Sequence, residues 1–315
     1  MAKPAPKKSA KRVPNLKFDF NAAVRRARKD HPELAKNALF IDAQKADWEE
    51  TADILASVGV DEDDLDDLKK TVRDAKRLKT SFHLALNRED APPLSAVVFH
   101  ADRHPLYGDK NGPIDDAGTF DHETGHALTP EMEGTLAENT ADAYAALRHL
   151  QRTGGEGKSI DYCGWKRAFI FMTTGAISHL TTFTIDQIIC DAKAADFMSM
   201  TPEETAAVAK AYAAMHTPEK KELTRLRAAF RPLRKLPPQK ALKKLARMTL
   251  KAPEDSQEFY LGARVLAGAL KEGGVTVDGQ DIVLKGSEWN DIQRALDKKT
   301  ANLPPKHPLR RHLKG

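Results

Sequence analysis

Apolar and polar positions follow two different periods along the chain, and the helical period dominates. Three segments before position 90 place apolar residues every three to four positions, which predicts amphipathic helices. The first lies between Asn21 and Pro32, the second covers 46–58, and the third runs from Asp61 to about Leu86. The pattern therefore predicts an N-terminal helical region over 16–90.

The pattern changes after Pro92-Pro93. Residues 95–100 read Ser-Ala-Val-Val-Phe-His, an apolar and β-branched run that predicts a strand. Residues 107–118 are rich in Gly, Asp and Asn, which predicts a loop. Helical periodicity then returns, except near 275–284, where Asp278-Gly279 between short apolar runs predicts a β-hairpin. We therefore expect a mostly α fold with a small β component, an α+β architecture.

The second half of the chain is also divided into helices. Residues 165–194 form an apolar stretch that we expect to be largely helical and buried. Thr-Pro-Glu at 129–131, 201–203 and 217–219 predicts a helix start each time, because Thr caps a helix and Pro suits its first turn. Ser287-Glu288 starts a further helix to about Asp297.

Basic charge is concentrated at 219–251, which holds twelve Lys or Arg against two Glu. Leucines recur between the basic residues, and Pro232 and Pro237-Pro238 divide the run into short helices. A basic amphipathic run can bind nucleic acid or an acidic partner, but this one has almost no aromatic side chains for base stacking. We favour helices whose leucines face the core and whose basic side chains face water, within a helical region over 201–302.

The composition is that of a soluble protein: of 315 residues, 41% are hydrophobic and 30% charged, with a net charge of +5. Cys163 and Cys190 are too few for a disulfide framework. No segment reaches the roughly 18 apolar residues that span a membrane, and residues 1–15 lack the apolar stretch of a signal peptide. We expect a cytoplasmic protein with disordered basic ends at 1–15 and 303–315, although a basic C-terminal tail can also be a secretion signal.

The motif that carries chemistry is His122-Glu123-Thr124-Gly125-His126, an H-E-x-x-H pattern. Histidines four residues apart lie on one face of a helix and can share one Zn²⁺. Glu123, next to the first of them, can reach a water on the metal as a general base. Thr129-Pro130 predicts that this helix ends near Leu128.

A second group, Glu138-Asn139-Thr140-Ala141-Asp142, follows in an Ala-rich helix that ends before Gly154. Together the two motifs resemble the active site of zincin metallopeptidases of the glutamate-ligand type, the gluzincins. The resemblance covers 119–147 and implies a zincin-like core over 91–200, with a sheet edge beside the cleft along which a substrate peptide lies. It also implies one zinc ion held by His122, His126 and Glu138, with Glu123 as the base and Asp142 as the partner of a ligand histidine.

The interval between His126 and Glu138 is short for that group and leaves two arrangements open. If the second helix starts near Gly134, Glu138 lies level with His126 in an antiparallel helix pair. If it starts at Pro130, Glu138 lies about 12 Å from the helix start and fits less well. The reserve ligands would then be Glu131 and Glu133.

Two further assignments stay open. Thr135-Leu136-Ala137-Glu138 is also a capping box, in which Glu138 would serve its own helix rather than a metal. An oxyanion needs a hydrogen-bond donor opposite the metal. The candidate donors are His179 first, with Tyr144 and Tyr162 behind it. His100, Asp102 and His104 alternate along an extended chain and could form a second metal site or line the cleft.

The sequence thus predicts a zinc-dependent hydrolase, with a metallopeptidase acting on a peptide or protein as the favoured class. Glu123 would take a proton from the attacking water and deliver it to the leaving amine. The alternative is a helical binding or regulatory protein, with structural zinc or none, in which 219–251 binds nucleic acid or an acidic partner.

Overall fold

A computed structural model describes residues 18–88, 91–100, 112–192, 195–271, 273–277 and 280–313. The expected basic arm at 1–15, the turn of the predicted hairpin, and Asp102 and His104 lie outside these residues. Among the described residues, none of the helices is both long enough and apolar enough to cross a membrane.

The fold is mostly helical with a small sheet component. The N-terminal elements are α1 (Phe20–Asp30), α2 (Leu34–Asn37), β1 (Ala38–Asp42), α3 (Trp48–Ser57), α4 (Glu62–Leu78), β2 (Phe82–Arg88) and β3 (Ala91–Phe99). The motif-bearing helices α5 (Gly112–Ala127) and α6 (Gly134–Thr153) are followed by α7 (Lys158–Thr174), α8 (Thr182–Asp191) and α9 (Pro202–His216). The C-terminal elements are α10 (Lys220–Phe230), α11 (Pro238–Lys251), α12 (Gln257–Lys271), β4 (Gly274–Val277), β5 (Gln280–Val283), α13 (Ser287–Ala301) and α14 (Leu309–Leu313).

The N-terminal region differs from the predicted run of helices because it contributes two strands to a sheet. The strand order is β1-β3-β2, with β1 parallel and β2 antiparallel to β3. The predicted helix from Asp61 to Leu86 is wrong after Leu78: Lys79 adopts a left-handed conformation that ends the helix, and the chain then turns into β2. The predicted strand at 95–100 is part of β3, which is the central strand, so the edges of the sheet are β1 and β2 rather than β3.

The sheet separates two apolar layers. Alternate residues of β3 face α4 on one side, where Ala96 and Val98 are buried. The others face α5 on the opposite side, where Val97 and Phe99 pack with Phe120. One face of the sheet therefore packs against the motif-bearing helix α5. Since α5 begins at Gly112, the predicted loop at 107–118 is helical in its second half.

Only one of the three Thr-Pro-Glu sites starts a helix as predicted. Thr201 caps α9 through a full capping box with Glu204. At the other two sites the helix starts after the tripeptide, at Gly134 and at Lys220. The helices α5 and α6 end as expected, near Leu128 and before Gly154.

The C-terminal elements enclose a separate core. The basic run at 219–251 forms α10 and α11, whose leucines are buried while residues such as Lys221 and Arg227 are exposed. The hairpin is confirmed by the antiparallel pairing of β4 with β5. Residues 303–313 are not the disordered tail that the composition predicts, because Leu303 and Leu309 are buried in this core.

Candidate metal centre

The two motif-bearing helices approach each other closely at Gly125. A Cβ atom on Gly125 would lie 2.8 Å from Cα of Ala141, a distance that only glycine allows. This contact sets the H-E-x-x-H face of α5 against the face of α6 that carries Glu138 and Asp142. The small residues within both motifs therefore determine how far apart the candidate ligands lie.

Three side chains converge their donor atoms between the helices. The Nε2 atoms of His122 and His126 lie 3.2 Å apart. Each also lies 3.7 Å from a carboxylate oxygen of Glu138. Ligands about 2.0–2.1 Å from a tetrahedral zinc ion lie about 3.3 Å from each other. Both the spacing and the donor types therefore fit one zinc ion, with one position left for a further ligand.

Asp142 orients the first of these histidines. Its Oδ1 atom lies 2.7 Å from Nδ1 of His122, a distance that favours the tautomer with the proton on Nδ1 and the lone pair of Nε2 facing the other ligands. Burial is the largest single effect and lowers the pKa of His122, but the contributions of Asp142 and the charge of Glu123 together give a net rise in that pKa. The pair therefore makes His122 a more basic ligand, as carboxylate partners of metal-bound histidines do.

Glu138 does not cap its own helix. The helix α6 begins at Gly134 with Glu133 at the N-cap position, and no side chain caps its first turn. The predicted capping box of Thr135 with Glu138 and the alternative helix start at Pro130 are therefore both wrong. With this start, Glu138 lies one turn into α6 and level with the histidines, as the first of the two predicted arrangements requires.

The carboxylate of Glu138 is held by His179, whose Nδ1 lies 3.0 Å from Oε2. Burial raises the pKa of Glu138, but this hydrogen bond and the nearby positive charges lower it to about 2, so the group is ionised. The two reserve ligands lie away from the centre: Glu131 pairs with Lys210, and Glu133 is exposed.

Arg167, which the sequence prediction missed, binds the same carboxylate of Asp142 that contacts His122. Its Nε and Nη2 atoms donate to the two carboxylate oxygens at 2.7 and 2.8 Å. Thr181 Oγ1 adds a third donor at 2.5 Å. Although burial opposes ionisation, Arg167 and His122 keep the pKa of Asp142 well below its usual range. A charged residue within the apolar run of α7 was the available signal for this role.

Glu123 is buried beside the donor set. Burial, together with the charge of Glu138, raises the pKa of Glu123 to about 7, although His122 opposes the shift. A carboxylate with that pKa can accept and return a proton near neutral pH, which is the property of a general base.

His83 is a second residue that the sequence prediction missed, because its segment was taken as helical. It lies on β2, and its ring is nearly parallel to that of His126 with the centroids 5.5 Å apart. Burial, and then the charge of His122, lower the pKa of His83 to about 4. The imidazole is therefore neutral at physiological pH.

The remaining candidates are placed elsewhere. Tyr144 hydrogen-bonds to His31 at 2.9 Å, and Tyr162 stacks on Trp165, so neither is directed at the donor set. His100 follows β3, and its backbone N–H donates to Ser81.

The described residues contain one further group that could hold a metal ion, formed by Asp161, Asp186 and His312. Arg264 fills it: its Nε lies 2.9 Å from Asp186 and its Nη2 lies 2.8 Å from Asp161. Arg311 adds a second cation 3.2 Å from Asp161. We call these five residues the C-terminal cluster. We call His122, Glu123, His126, Glu138, Asp142 and Arg167 the motif cluster.

Comparison of the chain with protein-family models, with curated proteins and with solved structures finds no match. The functional argument therefore depends on the geometry of the motif cluster. Nucleic-acid or acidic-partner binding by 219–251 stays a prediction; the burial of its leucines leaves a basic outer surface on α10 and α11.

Proposed function

We propose that the protein is a zinc-dependent hydrolase, and specifically a metallopeptidase with one zinc ion held by His122, His126 and Glu138. The observation that carries this proposal is the convergence of two imidazole nitrogens, 3.2 Å apart, on the carboxylate of Glu138, with each nitrogen 3.7 Å from one of its oxygens. Formal charge supports it as well. The ionised carboxylates of Glu138 and Asp142 face one guanidinium, and Glu123 adds a further negative charge when it is deprotonated, so a divalent cation can balance the net negative charge of the cluster.

Each residue of the motif cluster has a defined part in this chemistry. A bound zinc ion would polarise a substrate carbonyl and lower the pKa of water toward neutrality. Glu123 accepts the proton of the attacking water and passes it to the leaving amine. Asp142 fixes the tautomer of His122, and His179 fixes the carboxylate of Glu138. His179 is in this view a positioning residue rather than the donor to an oxyanion.

The position of the sheet supports a peptide as the substrate. The edge strand β2 lies beside the last turn of α5, where His83 contacts His126. Within the described residues, the outer side of β2 is paired only through an isolated bridge between Val60 and Arg88. An extended peptide can add to such an edge through main-chain hydrogen bonds. On this basis we propose a zincin-like core built from the sheet, α5 and α6.

The test is the Glu123→Gln variant, compared with Glu131→Gln as a matched control outside the cluster. Both proteins should contain one zinc per chain by elemental analysis, because Glu123 is not a ligand. Hydrolysis of fluorescein-labelled casein should fall by about 10²–10⁴-fold in Glu123→Gln only, since a general base contributes about that much. Wild-type protein without zinc, or activity that survives Glu123→Gln, would refute the proposal.

A further inference from the structure

The edge strand β2 places a histidine where the other strands of the sheet place apolar residues. Phe40 of β1 pairs with Val97 of β3, and Val97 pairs with His83 of β2. Phe40 and Val97 belong to the apolar layer under α5. His83 is thus the third member of one row across the sheet, and the only polar one.

The path of α5 explains why this histidine meets the motif. Phe120 stacks on Phe40 with the ring centroids 5.6 Å apart, and six residues later His126 stacks on His83 at 5.5 Å. Six helical residues span about 9 Å, and β1 and β2 lie two strand spacings apart, about 9.6 Å. Helix α5 therefore runs across the sheet, and its C-terminal end, which carries the motif, lies over the edge strand β2.

One of the two ring nitrogens of His83 has no hydrogen-bond partner among the described residues. This atom, Nε2, is buried. A buried polar atom without a partner requires an explanation, and a catalytic role is one of those known for such atoms. His83 does not belong to the set of His122, His126 and Glu138, whose ligand atoms lie within 4.8 Å of one another. Its imidazole is therefore not a fourth protein ligand to the same zinc ion.

Two of the other candidate donors already have partners at one polar atom. Nδ1 of His179 lies 3.0 Å from Glu138 and from Arg167, and the hydroxyl of Tyr144 is bonded to His31. We propose that His83 is the oxyanion donor: its Nε2–H hydrogen-bonds to the carbonyl oxygen of the scissile peptide, as negative charge develops there. This inference rests on the proposed peptidase function and adds a catalytic residue to it, supplied by the strand on which the substrate lies.

The test compares His83→Phe, which keeps an aromatic ring against His126, with His83→Gln, which keeps an N–H donor. Removing one oxyanion donor reduces kcat by about 10²–10³-fold, so we expect this loss for casein hydrolysis in His83→Phe and partial recovery in His83→Gln. The affinity for N-phosphoryl-Leu-Ala, whose phosphoryl oxygens resemble an oxyanion, should weaken in His83→Phe by a similar factor in calorimetry.

Two measurements separate this role from others. Both variants should hold one zinc per chain, and the urea midpoint of His83→Phe should be unchanged or higher, because the buried nitrogen is removed. Loss of zinc in folded His83→Phe would make His83 a ligand and would overturn the inference. Casein hydrolysis and affinity for N-phosphoryl-Leu-Ala within threefold of wild type in His83→Phe would also overturn the inference. Wild-type protein that binds zinc but cleaves no peptide would refute the proposed function, and the oxyanion role with it.

Discussion

The motif cluster and the C-terminal cluster contain the same kinds of side chain but differ in what faces their carboxylates. In the C-terminal cluster, Asp161 and Asp186 are each within hydrogen-bonding distance of Arg264. In the motif cluster, Arg167 hydrogen-bonds to both oxygens of Asp142 and lies 3.8 Å from Glu138, whose carboxylate also converges with two imidazoles. Both groups bring potential ligand atoms close together, yet only in the motif cluster do carboxylates outnumber the Arg side chains. Charge balance, rather than proximity, distinguishes a metal site from a buried ion pair.

The largest effect should come from breaking the ion pairs of the C-terminal cluster. Arg264→Met leaves the buried carboxylate of Asp186 and the half-buried carboxylate of Asp161 without their main cation, which should lower the free energy of unfolding by about 3–5 kcal/mol. Urea denaturation measures this loss. Replacing Asp186 by Leu in the same protein should recover part of it, because an apolar pair can substitute for a buried ion pair. If Arg264→Met were as stable as wild type, the ion pairs of Arg264 would not stabilise the C-terminal core.

Zinc should stabilise the protein through the motif cluster alone. At a free concentration 1,000 times its Kd, zinc should raise the free energy of unfolding by about 4 kcal/mol over the metal-free protein. Thermal or urea unfolding with and without a chelator measures the difference. His126→Ala should abolish the effect, and Asp161→Asn should preserve it. Loss of the zinc effect in Asp161→Asn would mean that the C-terminal cluster binds the ion.

The contact between α5 and α6 offers a smaller and more local test. In Gly125→Ala, the added methyl group would meet the backbone of Ala141, so we expect a loss of about 1–3 kcal/mol in unfolding free energy and weaker zinc binding. Gly118→Ala is the matched control on the same helix, because no atom lies within 4 Å of its added Cβ. It should stabilise the protein by up to about 1 kcal/mol. Equal effects of the two substitutions would contradict the close-contact argument.

The smallest expected effect is a pH dependence of stability from the C-terminal cluster. Burial raises the pKa of Asp161, but the hydrogen bond to His312 and the charge of Arg264 give a net lowering. A lowered folded-state pKa stabilises the protein above the ordinary Asp value of about 3.9, and that contribution is lost as the pH falls below it. Unfolding free energies between pH 6 and pH 3 should therefore decrease less steeply in Asp161→Asn than in wild type. Identical slopes would show that Asp161 is not coupled to folding.

The central part of the candidate site could be predicted from sequence because it depends on local spacing. His122 and His126 share a helix face by their separation alone, and the helix break at Thr129-Pro130 set where the second helix could begin. Deciding whether Glu138 is a ligand or a helix cap required knowing at which residue α6 begins. That start is determined by tertiary packing rather than by the Thr-Pro signal.

The parts that sequence reasoning missed depend on contacts between distant segments. Residues 82–86 read Phe-His-Leu-Ala-Leu, a run of good helix formers, and their strand conformation comes from pairing with β3. His83 could not be placed near the motif without that pairing. Arg167 and Asp142 are 25 residues apart, and no local pattern links them. Burial of 303–313 was hidden by a basic composition in which two leucines supply the apolar contacts.

The docking of α14 also bears on how the protein is synthesised. Arg311 binds Asp161 across 150 residues of sequence, and Asp161 lies on α7, the helix that delivers Arg167 to Asp142. At about 5–20 residues per second, a ribosome needs roughly 10–30 s to make the intervening chain. During that interval α7 has emerged without the cations that later neutralise Asp161. The first turn of α7, which holds Asp161, should therefore reach its final packing only after translation has passed position 311.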